Sequence, residues 1–161
     1  MEHCNKLSEL ILMEPGEDFN SYLNRIYPIY KSTIAEAQLS FRGKPVKVFT
    51  NLNFNLQHQT FEHLTTKGNQ DRLYNTERCQ RIPWIHDILG NNCVGCGDYR
   101  VFKDVNWKPR KKERRYIVWC VKEDYAIILE ERERDFMLIT AYRILYQNKR
   151  NDLERLYQRS R

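Results

Sequence analysis

The chain has 161 residues, 41% hydrophobic and 30% charged, which suits one domain with a real core and excludes a disordered polymer. Lys and Arg number 27 against 21 Asp and Glu, a formal charge of +6 and an isoelectric point near 9.1, a balance that favours polyanionic partners. No apolar run approaches the roughly 18 residues that span a bilayer, and no secretory leader pattern opens the chain. With an odd set of cysteines (Cys4, Cys79, Cys93, Cys96, Cys120), this predicts a reduced, cytoplasmic protein with no membrane partner.

In chain order, Leu7, Leu10 and Ile11 fit a short helix that ends at Pro15-Gly16. Asp18 caps a second helix, with Phe19, Tyr22, Leu23 and Ile26 on one face and an interruption at Pro28. A further helix is expected from Ile29 to about Leu39. Residues 1–40 thus read as a helical segment packed on a core spanning 41–146, and 147–161 as a basic C-terminal helix, all within one domain.

Phe41 to Phe49 reads as a turn and strand, and Phe54 and Leu56 as a second short strand. From Arg78 to Leu89 the pattern is helical, with Pro83 near its start and Gly90 as its stop. Tyr99 to Phe102 is a strand. Tyr116 to Val121, Tyr125 to Leu129 and Phe136 to Tyr142 are apolar runs separated by charged turns, which predicts an antiparallel meander. Those runs are too continuously apolar to face water, so helices should cover the sheet. The expected class is α+β: N-terminal helices packed on an antiparallel sheet of about four strands, then a C-terminal helix.

The polar residues between Thr60 and Ile88 are harder to explain as scaffold. Alone, His63 reads as a surface or satisfied core histidine. Its neighbours are Glu62, then Lys67 four residues on (one face if the segment is helical), then Arg78 and Arg81 on the next element. RNA cleavage by transesterification needs a base for the 2′-hydroxyl, an acid for the departing 5′-oxygen, and cations against charge building on phosphorus oxygens. Histidine transfers protons near neutral pH, and Arg and Lys supply the cations. Thr140 and Tyr142, two apart on the last strand, are expected to share a face with Phe136 and Leu138; they are good strand formers in any case, and their hydroxyls suit a phosphate site.

The order Phe-x-Gly-Lys-Pro-Val, Glu62-His63-Leu64-x-x-Lys67, Arg78-x-x-Arg81-Ile82, and a meander ending Ile139-Thr140-Ala141-Tyr142 resembles phage-associated members of the barnase, EndoU, colicin and RelE-like (BECR-fold) nuclease superfamily, over roughly residues 41 to 146. The resemblance implies a barnase-like fold of helices on a four-stranded antiparallel sheet. It implies His63 as general acid or base and Lys67 as a phosphate contact. It also implies Arg81, with Arg78 as substitute, stabilising the transition state, while Thr140 and Tyr142 complete the site. No second histidine stands at an equivalent place; His58 and His86 fit no clear pattern.

Lys108-Pro109-Arg110-Lys111-Lys112-Glu113-Arg114-Arg115 is a basic run. In most proteins such a run is a solvated loop, and in some it tracks phosphates. Cys93-x-x-Cys96 is half a zinc motif with no second pair after it, so a glycine-rich loop with free thiols is its default reading. No cofactor is expected. Two functions follow: a metal-independent endoribonuclease of toxin or phage type, with RNA as partner and an antitoxin or immunity protein as its inhibitor; or a non-catalytic RNA- or DNA-binding accessory protein on the same scaffold.

Overall fold

Asp18 opens the first helix, α1 (Phe19–Tyr30), its side chain accepting the Ser21 N–H at 2.8 Å. Tyr22, Leu23, Ile26 and Tyr30 form the buried stripe. Pro28 does not end this helix: the chain continues through it and then widens into one π-helical turn, Lys31–Ala35. The proline costs the bond its missing N–H would have made, and the buried Ile26 and Tyr30 on either side hold the backbone in place. The computed structural model describes residues 7–68, 73–90, 99–104 and 114–161.

The helix expected over Leu7 to Ile11 does not form. The segment is an extended strap, because its backbone groups find partners elsewhere. Ser8 N–H donates to Asp87 at 2.7 Å, Trp84 Nε1 donates to the Ser8 carbonyl at 2.7 Å, and Ile11 N–H donates to the Gln80 carbonyl at 3.0 Å. Phe54 and Leu56 form no strand either. They lie in a loop closed by an isolated bridge between Leu52 and His58, and both side chains are exposed.

A two-residue hairpin joins β1 (Ser40–Phe41) to β2 (Lys44–Lys47). Arg42 and Gly43 both take positive φ, 50° and 81°, as a type I′ turn requires. Helix α2 (Gln59–Thr65) runs directly into β3 (Thr66–Lys67), which pairs with β4 (Leu73–Tyr74) in a small ribbon. The single helix expected from Arg78 to Leu89 is two, α3 (Thr76–Gln80) and α4 (Ile82–Leu89), broken at Arg81. Pro83 cannot donate back to the residue 79 carbonyl, so the break falls just before it.

The meander is present as β5 (Tyr99–Lys103), β6 (Arg114–Cys120), β7 (Tyr125–Glu131) and β8 (Phe136–Arg143). It is larger than expected from the sequence. β2 adds parallel to β8, with Val46 opposite Phe136, and β1 adds beyond it, giving a six-stranded mixed sheet in the order β1-β2-β8-β7-β6-β5. The sheet curls until Phe41 on β1 meets Tyr116 on β6, their rings 6.0 Å apart. The class is α+β.

Helices cover both faces. Val118, Ile127, Leu129, Leu138 and Ala141 pack with Tyr22, Ile26, Phe61, Ile85 and Ile88 in the main core. On the other face Ile117, Trp119, Ala126 and Ile128 meet Leu153 of the last helix, α5 (Gln147–Ser160). Arg100 clamps that helix: it pairs with Glu154 while its guanidinium lies 5.2 Å from the Trp119 ring and 4.3 Å from the Tyr157 ring. Arg150 pairs with Asp124. None of the described helices is long and apolar enough to cross a membrane.

One detail of β8 decides what its side chains can do. Ile128 lies opposite Thr140, but Leu129 lies opposite Leu138, so Ile139 is the extra residue of a β-bulge. The bulge reverses the alternation. Phe136 and Leu138 face the main core, whereas Thr140 and Tyr142 face the α5 side. The expected common face for these four residues is corrected accordingly.

Loop 52–58 is tied to α1 at His58. The Tyr30 hydroxyl and His58 Nδ1 are 3.1 Å apart, and the His58 N–H donates to the Tyr27 hydroxyl at 3.1 Å. Burial, with Lys31 adding to it, holds the imidazole below its ordinary pKa of 6.5. The unfolded chain therefore binds more protons here than the native one, so stability falls as pH drops below about 6.5 until the native imidazole also protonates. Urea midpoints from pH 7.5 down to 5 should decline, and His58→Gln should flatten that decline.

Candidate active site

Helix α2 reaches β8 where β2 stops pairing. β2 covers only Phe136 and Met137, and beyond them α2 and α3 lie along the strand. The contact is polar. The His63 carbonyl, in the last turn of α2, accepts from Arg78 Nη1 and from Thr140 Oγ1, each at 3.2 Å. Arg78 Nη1 also donates to the Thr66 carbonyl at 2.7 Å and to Thr140 Oγ1 at 3.2 Å, and its guanidinium carbon lies 5.6 Å from the centre of the Tyr142 ring. Asn75 sets the position of Arg78 by capping α3, its Oδ1 accepting the Arg78 N–H at 3.0 Å. Residues 63, 78, 140 and 142 are thus brought together from three elements.

Thr140 and Tyr142 line a cleft of about 330 Å³ between the sheet and α5, walled by Arg115, Lys149, Asp104 and Asp152 over a floor of Ile117 and Ile128. Burial pushes the Tyr142 phenol above its ordinary pKa of 10.0, against the opposing pull of Arg78. The hydroxyl is therefore a neutral donor at physiological pH, suited to a phosphate oxygen. Arg115 and Lys149 bring positive charge to the same cleft. Lys149 was missed by sequence reasoning, since one lysine at the start of a basic helix carries no distinguishing signal.

The remaining sequence candidates fall elsewhere. Lys67 is exposed on β3, because α2 ends at Thr65, and so it is not four positions along a helix from His63. Arg81 is buried at 6% exposure. Its Nη1 donates to the Glu77 carboxylate at 2.7 Å and the Glu77 carbonyl at 2.9 Å, and its guanidinium carbon lies 5.0 Å from the Trp84 ring. Glu77 also receives Arg143 at 3.0 Å. A guanidinium enclosed in this way is turned into the core, and of the two arginines it is Arg78 that reaches Thr140 on β8. Arg114 stands 3.7 Å from Glu131 at the strand end.

Lys108, Arg110, Lys111, Lys112, Cys93 and Cys96 lie outside the described residues. Among the described residues no group of three or more His, Cys, Asp and Glu is placed to hold a metal ion. Cys79 and Cys120 are buried, and burial pushes the Cys79 thiol up to about 12. A larger cleft of about 720 Å³ lies along β2, but it offers little chemistry. Lys44, on its wall, is already held by Glu131 and the Arg132 carbonyl. A scan of family models finds no match to this chain, and searches of curated proteins and of solved structures return none.

Proposed function

We propose that the protein is an endoribonuclease that cleaves RNA by transesterification, with the substrate's own 2′-hydroxyl as nucleophile. The observation that carries this reading is the convergence of Arg78, Thr140 and Tyr142 on the end of α2, where the His63 carbonyl accepts from Thr140, 77 positions away in the chain. His63 exchanges the proton, the Tyr142 hydroxyl donates to a phosphate oxygen, and Arg115 and Lys149 offset the growing charge. Arg78 and Thr140 hold the end of α2 against β8 and so position His63. The chemistry itself asks for no metal. The resemblance to BECR-fold nucleases points the same way.

A second reading, an RNA-binding protein without cleavage, is favoured by one specific observation: the Arg78 guanidinium and the Thr140 hydroxyl already serve protein acceptors. Pure protein incubated with end-labelled total RNA in EDTA separates the two. The first reading expects fragments ending in a 2′,3′-cyclic phosphate and a 5′-hydroxyl. Intact RNA together with a steeply salt-dependent gel shift would support the second.

A further inference from the structure

The curl of the sheet leaves a seam between its two edges, β1 and β5. A groove of about 440 Å³ follows it, lined by Tyr116 of β6, Phe102 of β5 and Tyr157 of α5, the last two rings 5.5 Å apart. Three cations from separate parts of the chain line this groove: Arg42 at the hairpin tip, Lys103 at the end of β5, and Arg161 after α5. Arg42 Cζ stands 4.9 Å and Lys103 Nζ 5.7 Å from the centre of the Tyr116 ring, and Arg161 Cζ stands 5.6 Å from that of Tyr157. Among the described residues no Asp or Glu lines the groove.

Several described cations elsewhere are answered by carboxylates: Arg25 by Glu17, Lys44 by Glu131, Arg143 by Glu77 and Arg150 by Asp124. At the seam the cations gather around aromatic rings in a concave surface, which focuses positive potential where an extended polyanion can lie. Arg42 is held there by backbone that arginine rarely adopts, at φ 50° in the type I′ turn, where asparagine is the favoured residue. The hairpin thus fixes the direction of a side chain that contributes charge and not turn stability.

We propose that this seam groove binds the phosphate backbone of single-stranded RNA, as a contact region separate from the β8 cleft. The choice of RNA rests on the reading above, but the groove does not depend on cleavage. The test measures anisotropy of a short labelled single-stranded RNA, 2′-O-methylated so that it lacks the hydroxyl that transesterification needs, across a salt series, for the full chain, the double variant Arg42→Asn with Lys103→Gln, and Lys103→Gln alone. Asparagine suits the turn and removes the charge.

The slope of log affinity against log salt should fall by about 1.4 in the double variant and about 0.7 in Lys103→Gln, one phosphate contact for each cation removed. A folded double variant, or folded Lys103→Gln, with an unchanged slope overturns the proposal, as does a full chain with no salt-dependent binding. A full chain that never cuts RNA while the slope still falls as stated retires the nuclease reading and leaves the groove assignment standing.

Discussion

His63→Ala is expected to lower the initial rate of RNA cleavage by about 10²- to 10⁴-fold, the range for loss of a general acid or base. The variant should stay folded. His63 is half-buried, and its backbone carbonyl, which accepts from Arg78 and Thr140, is retained in alanine. Arg78 and Thr140 should therefore keep α2 docked on β8 in the variant, and urea unfolding should still show a cooperative transition. An alanine variant that cuts at the original rate would remove His63 from the chemistry, and one that unfolds would recast it as a structural residue.

The same contacts explain what was legible beforehand. The meander could be read because Tyr116 to Val121, Tyr125 to Leu129 and Phe136 to Tyr142 are apolar runs bounded by charged turns, a local signal. The bulge at Ile139 could not. It arises from pairing between β7 and β8, and it sends Thr140 and Tyr142 to the face opposite the one that simple alternation gives. The strap at Leu7 to Ile11 was misread as a helix for a related reason: its partners, Trp84, Asp87 and Gln80, lie far along the chain.

The burial of Arg81 is a different case, because a signal was present. Glu77 stands four residues before Arg81, the spacing that pairs side chains along one helical face. Cys79 is buried, and Ile82, Trp84 and Ile85 place Arg81 at the edge of an apolar cluster. A cation bracketed by a carboxylate and a core stripe turns inward. Arg78, whose own carboxylate neighbours are less well spaced, was the better candidate for reaching across to β8. The separation of His63 from Tyr142 in sequence gave no such guide; only the packing of α2 and α3 on the strand brings them near each other.

Glu77→Ala should cost about 3 kcal/mol of folding stability, the lower end of the range for stripping the partner from a buried ion. The argument turns on which charge is left behind. Without Glu77, the buried Arg81 keeps the residue 77 carbonyl and Gln80 as acceptors but loses its counter-charge, with Arg143 still close. Burial already holds Arg81 below its ordinary pKa, a sign of how poorly that site tolerates the charge alone. The reverse change, Arg81→Met, leaves Glu77 half-exposed and still paired with Arg143, so it should cost about 1 kcal/mol, chiefly lost packing on Trp84. The double variant should then be more stable than Glu77→Ala alone. Urea unfolding of all four proteins yields the coupling, and cleavage assays on Arg81→Met complete the test. If Arg81 serves the core, that variant cuts RNA at nearly the original rate. A folded Arg81→Met that has lost cleavage would return Arg81 to the active site.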